Sequence, residues 1–241
     1  MIYELRGKIP QNSSFIYSED VLTSTIFGNL RYFSNYEILK EFLSKAKDLE
    51  NNSFNTYDLS EKIKIHFWTK YSNQNEPQIN EPDLLLEDDK NVTIIECKYH
   101  SPLDETFSQN HKDYTNQLIR YSTILDQYFS NKDNKNIIFL TLKDYEYKTC
   151  LSKTKANISK DIGLYWLCWE ELFSILKKAQ VTGNGEKDLL NDLISFMKNR
   201  RLLYFSGITI TNSNYKWKYK LNKIFIFNSK FDLFLWRYLN E

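Results

Sequence analysis

The chain is short of the residues that build a protein through cross-links, linkers or a membrane span. Its three cysteines, Cys97, Cys150 and Cys168, are odd in number, widely spaced and without a CxxC pair. They offer neither a disulfide framework nor zinc-ligand spacing, so reduced thiols in a cytoplasm are expected. No apolar run nears the roughly 20 residues that a bilayer span needs, so no membrane role is expected. The opening MIYELRGKIP lacks the apolar stretch of a secretory signal. Four prolines and six glycines make no linker, and there is neither an internal repeat nor a low-complexity tract. No phosphate loop of the G-x-x-x-x-G-K-[ST] type occurs, so nucleotide-driven work would have to come from another chain. The net charge is only +1, which by itself does not announce a nucleic-acid binder.

What is present is a core and an uneven charge distribution. At 241 residues, with 41% hydrophobic and 16% aromatic residues, the chain suits one large domain with a small appendage. Residues 1–205 are expected to form the main domain. Residues 206–241 are expected to form a basic, aromatic extension packed on it. Residues 81–105 carry eight acids against two lysines, whereas residues 200–241 carry eight bases against two acids. Ser18 is a good N-cap, and Val21, Leu22, Ile26 and Leu30 follow it at helical spacing. A second helix is predicted over 36–49. Strands are predicted over 63–68, 82–87 and 91–99, the last two joined by a hairpin turning at Asp89-Lys90. A long helix over 113–129, strands over 136–142 and 162–169, and helices near 170–180 and 186–203 complete the chain. This order predicts an α/β domain with a mixed central sheet flanked by helices.

The stretch EPDLLLEDDKNVTIIECKYHSPLD, residues 81–104, holds the chemistry. Its apolar run reads as a central strand, yet it ends in Glu96-Cys97-Lys98, and its upstream neighbour opens with Pro82-Asp83. Alternation places Glu96 and Lys98 on one face and Cys97 on the other. A turn at Asp89-Lys90 makes opposed residue numbers sum to about 179, which sets Asp83 across from Glu96. Two carboxylates and an ammonium thus converge at a strand end. Buried acids are costly unless paired or coordinated. Two carboxylates suit Mg²⁺, a hard ion that keeps waters for a substrate phosphate, and the lysine can orient or help deprotonate an attacking water and stabilise developing charge.

At these residues the sequence resembles the PD-(D/E)xK nuclease superfamily. Pro82-Asp83 matches the first motif and Glu96-Cys97-Lys98 the second. SEDVLTSTIFGNLRYF, residues 18–33, looks like the first core helix, whose acid completes the metal site; Glu19 fills that place, with Asp20 an equal candidate. Gln117-Leu-Ile-Arg-Tyr121 resembles the QxxxY motif of the RecB-type nuclease branch. The resemblance covers about residues 15–170. It implies a restriction-endonuclease-like α-β-β-β-α-β core with a C-terminal helical and strand extension. It further implies catalytic Asp83, Glu96 and Lys98, and a Mg²⁺ site, with Mn²⁺ able to substitute. The ligands would be Glu19, Asp83, Glu96 and the Cys97 backbone carbonyl, with Gln117 and Tyr121 positioning the substrate. The implied activity is phosphodiester hydrolysis in DNA, with RNA left open, in genome defence, restriction or repair. A separate ATPase, helicase or recognition subunit is the implied protein partner.

Two other classes remain open on the sequence. The fold could serve as a nucleic-acid-binding or assembly module without cleavage, or the charged residues could form a structural ion-pair network. Glu96 with Lys98 reads alternatively as a solvated pair on an edge strand, Asp83 as a strand-start residue, Tyr121 as a core aromatic and Gln117 as a surface residue. His100 and His111 are read as structural or exposed, Arg120 and Lys112 as candidates for phosphate contact, and Trp166 and Trp169 as sheet core. In NYKWKYKLNK, residues 214–223, Lys216, Lys218 and Lys220 alternate with Tyr215, Trp217, Tyr219 and Leu221. That pattern fits first an edge strand guarded by lysines; the alternatives are a nucleic-acid contact surface that tracks phosphates and a partner-docking surface.

Overall fold

The computed structural model describes residues 18–56, 59–60, 62–72, 79–107 and 114–203. The chain divides into two units, Met1–Tyr204 and Phe205–Glu241, and every described residue lies in the first. Lys216, Lys218, Lys220, His111 and Lys112 fall outside the described residues.

Helix α1 (Glu19–Leu30) starts where the sequence sets it. Ser18 is extended, and its side chain accepts a hydrogen bond from Val21 N. Two acids in the first turn complement the helix dipole. A short 3₁₀ turn follows, with Asn35 and Tyr36 in left-handed conformation. Helix α2 (Glu37–Leu43) is shorter than the predicted 36–49. Its continuation is needed elsewhere: Lys47 exchanges two backbone hydrogen bonds with Trp166, at 2.8 and 2.7 Å.

A five-stranded sheet follows. Its central members are β1 (Lys64–Phe67), β4 (Leu84–Glu87), β5 (Asn91–Cys97), β8 (Asn134–Thr141) and β9 (Ile162–Cys168), in the spatial order β1-β4-β5-β8-β9. The first three pair antiparallel, and β5, β8 and β9 run parallel. Leu84 opposes Ile95 and Leu85 opposes Ile94, so residue numbers sum to 179, the register the sequence predicts. The β4–β5 turn lies at Asp89-Lys90, where Asp88 Oδ1 accepts hydrogen bonds from Lys90 N and Asn91 N.

Both faces of this sheet are covered, which explains the unbroken burial of β5. Leu84, Leu86, Ile95, Cys97, Ile138 and Leu140 pack with α1, α2, α5 (Trp169–Lys178) and α6 (Asn184–Asn199). Leu85, Ile94, Ile137 and Phe139 pack with α3 (Gln117–Tyr128) and α4 (Lys148–Lys155). No described helix is long and apolar enough to cross a membrane.

Further details depart from the sequence reading. The segment predicted as a helix from 113 is extended at β7 (Tyr114–Asn116), paired with β6 (Glu105–Phe107), so α3 starts at Gln117. Asn116 ends the strand and caps the helix, its Oδ1 accepting from Ile119 N at 2.9 Å. A second small hairpin, β2 (Tyr71–Ser72) with β3 (Ile79–Asn80), precedes β4. Helix α6 stops at Asn199, short of the predicted 203, because Arg201 takes φ 57° and Leu202 N donates back to Met197 O. Trp169 is fully buried as expected, but it opens α5 and does not belong to a strand.

Candidate active site

Asp83 stands immediately before β4, and its Oδ2 accepts a hydrogen bond from Cys97 N at 2.8 Å. The predicted cross-strand placement is therefore met. Glu96, 1% exposed, lies on the face turned toward α3. Its Oε1 is 2.8 Å from Lys98 Nζ, and its Oε2 accepts the Tyr121 hydroxyl hydrogen at 2.7 Å. From α1, Glu19 Oε2 approaches Lys98 Nζ at 3.9 Å. Glu19 Oε1 accepts from Tyr99 N at 2.7 Å, Ser101 N at 3.2 Å and Ser101 Oγ at 2.6 Å. Asp20 is exposed and does not take this place. Of the two acids, it is Glu19 that joins the cluster.

Two carboxylates thus flank one ammonium, and a third, Asp83, lies near enough to feel its charge. Burial, and then the charge of Glu96, push the Asp83 carboxyl up to about 8. Glu96 is raised by burial as well, with Lys98 and Tyr121 opposing that shift. For Lys98, burial works against the charged form, but Glu96, Glu19 and Asp83 together outweigh it, and the net shift is upward. Lys98 is therefore an ammonium at neutral pH. In this state it is placed to donate to and stabilise negative charge.

The site is braced from behind. Lys98 N donates to Leu140 O at 2.7 Å, and Trp169 Nε1 donates to Lys98 O at 3.1 Å. The Tyr99 hydroxyl donates to Arg200 O at 2.7 Å, while an Arg200 guanidinium nitrogen reaches Ser18 O at 3.4 Å. The start of α1, the end of β5 and the end of α6 are tied together.

Gln117 and Tyr121 sit one helical turn apart, with Gln117 Nε2 3.4 Å from the Tyr121 hydroxyl. Tyr121 is almost fully buried. It is a core aromatic, and its hydroxyl is at the same time a donor to Glu96. Gln117 grips the strap after β5, accepting from Asp104 N at 3.2 Å through Oε1 and donating its own N–H to Asp104 O at 3.1 Å. Tyr121→Phe leaves a buried carboxylate oxygen short of a donor, which costs about 1–3 kcal/mol. A melting curve should show that loss, and Gln117→Ala should show a smaller one. If Tyr121→Phe melts like the wild type, the hydroxyl does not hold Glu96.

The oxygen donors fit a hard divalent ion. Asp83 uses one oxygen for Cys97 N, leaving Oδ1, and each carboxylate oxygen has a second lone pair. The Cys97 carbonyl lies on the same strand edge as its N–H and so faces the Asp83 side. The Cys97 thiol faces the opposite layer, where burial raises it well above the ordinary range. Among the described residues, no three His, Cys, Asp or Glu side chains are already arranged as a metal cage. His100 is exposed beside the Tyr99 ring and Trp166 stacks on Tyr147. Neither belongs to the cluster.

No family model, characterised protein or solved structure matches the chain.

The sequence reading missed Ser101, Asp104, Asn80 and Tyr145, whose hydroxyl accepts from Leu103 N at 3.0 Å. The first three lie in a hairpin and the strap, and Tyr145 lies in the turn between β8 and α4, where no periodicity announces them. Their one signal is proximity, since Ser101 follows Lys98 by three positions and Asn80 precedes Asp83 by three.

Proposed function

We propose that this chain is a Mg²⁺-dependent nuclease hydrolysing phosphodiester bonds in DNA, with Mn²⁺ able to replace Mg²⁺. The supporting observation is the meeting of three acids from separate elements about Lys98: Glu96 at 2.8 Å and Glu19 at 3.9 Å from its ammonium, and Asp83 on the N–H of the preceding Cys97. A cluster with this excess of negative charge, most of it out of water, calls for a cation. The order α1, β1, β4, β5, α3, β8 agrees with a restriction-endonuclease-like core. On this reading Asp83, Glu96 and the Cys97 carbonyl hold the ion, with Glu19 Oε2 beside them. A bound ion would supply charge neutralisation at phosphoryl oxygen and a water of lowered pKa.

The chain's own groups do the rest. Lys98 presents its ammonium to the negative charge that grows on the phosphoryl group. Tyr121 fixes the Glu96 rotamer, and Gln117 fixes the strap that runs over the site, so both act as positioning residues. Genome defence, restriction or repair is the setting this chemistry suits, beside a separate ATPase, helicase or recognition subunit.

The test is incubation of the pure protein with linear, circular and single-stranded DNA, and with RNA, in Mg²⁺, in Mn²⁺ and in chelator. Metal-dependent cleavage that vanishes in Glu96→Gln supports the proposal. Binding without cleavage under every condition would replace it with the assembly-module reading.

A further inference from the structure

Arg120 is 5% exposed, and a guanidinium so placed needs acceptors. Its Nε donates to Asn80 Oδ1 at 3.1 Å and its NH2 donates to Asp104 Oδ2 at 2.5 Å. The Asp104 side chain is 51% exposed. The bond to Arg120 fixes how the Asn80 amide is turned, so its nitrogen is the free end, and that buried Nδ2 has no hydrogen-bond partner. A buried cation, a buried unsatisfied donor and a half-exposed carboxylate across from them form a donor cluster with a displaceable anion. Each member adjoins the primary cluster in sequence. Arg120 precedes Tyr121, Asn80 lies three positions before Asp83, and Asp104 lies six after Lys98.

We propose that Arg120 and Asn80 form a phosphate subsite for the strand bound at the Asp83–Glu96–Lys98 cluster, and that Asp104 occupies it when no strand is present. The inference rests on the proposed nuclease reading for its ligand. A carboxylate and a phosphodiester offer the guanidinium the same pair of acceptor oxygens, so one can replace the other on the planar fork. Asp104 then competes with substrate. When it leaves Arg120, its backbone stays held by Gln117, so the exchange moves a side chain and leaves the strap in place.

Opposite signs separate this role from a structural latch. The readout is the affinity of a 20-nucleotide single-stranded DNA in chelator, measured across a salt series, beside melting curves of each variant. Arg120→Gln should weaken binding about tenfold and flatten the slope of log affinity against log salt by about 0.7. Arg120→Lys should recover the slope and only part of the affinity, because it keeps the charge and loses the fork. Asp104→Asn should tighten binding about two- to fivefold by removing the competing anion. Binding that is unchanged or weaker in Asp104→Asn overturns the subsite, even if Arg120→Gln proves too unstable to assay. A wild type that binds DNA, with Asp104→Asn tighter, but cuts in no metal overturns the nuclease reading and keeps the subsite. Failure to bind any strand overturns both.

Discussion

Alanine at Asp83, Glu96 or Lys98 should each lower metal-dependent cleavage by at least about a thousandfold, and a double replacement should be little worse than a single one. Groups that act on one reacting centre lose their function together, so their losses do not add. The structure shows them as one unit, with Glu96 sharing Lys98 and with Asp83 raised in part by the charge of Glu96. Stability must be followed in parallel. Lys98→Ala strands a buried carboxylate, and breaking a buried pair by one partner costs about 3–5 kcal/mol. The double change Glu96→Gln with Lys98→Met removes both charges and should regain much of that loss. It should regain none of the cleavage. Single-turnover assays on linear DNA beside thermal melts separate the two effects. Full activity in Lys98→Ala would sink the mechanism.

In chelator, the folded protein should lose stability as pH rises from about 4 to about 8. Asp83 has its carboxyl pushed up to about 8 from an ordinary value of 3.8. Between those values the folded form holds a proton that the unfolded chain has released, so deprotonation favours unfolding. The penalty is absent below the lower value, grows through the interval and is complete above the upper one. Glu96, also raised, acts in the same direction. The Lys98 contribution stays constant there, since its upward shift matters only near and above pH 10.5. A single carboxyl contributes at most about 1.4 kcal/mol per pH unit, so a total of a few kcal/mol is expected. Asp83→Asn should remove its share of the slope and leave that of Glu96. Mg²⁺ should raise the melting temperature more at pH 8 than at pH 6, because the ion displaces the proton. A flat profile in chelator would mean that Asp83 faces water, not Glu96.

The β4–β5 hairpin was legible because two unbroken apolar runs flank an Asp-Lys turn, and the turn sets the register that brings Asp83 to Glu96. Helix α1 was legible through its cap. The choice between Glu19 and Asp20 was not, because both suit a first helical turn; only the backbone donors of Tyr99 and Ser101 select Glu19. The start of α3 was missed because Tyr114–Asn116 can continue a helix locally, and its strand pairing depends on a partner outside the window. Helix α4 was missed because KTCLSKTK gives a short, largely polar pattern. The Arg120 contacts are made to hairpin residues 40 and 16 positions away, beyond any local pattern.

The tie through Arg200 also sets an order of assembly. Asp83, Glu96 and Lys98 lie in the first half of the chain and could meet as soon as the hairpin forms. The backbone at Ser18, which starts the helix carrying Glu19, gains its contact from a residue 182 positions later. Closing so long a loop carries an entropic cost, and contacts this distant in sequence tend to form late in folding. During synthesis, then, the site acquires its finished geometry only after the sixth helix has left the ribosome. A nascent chain would carry the acids and the lysine without yet having the rigid frame that orders them.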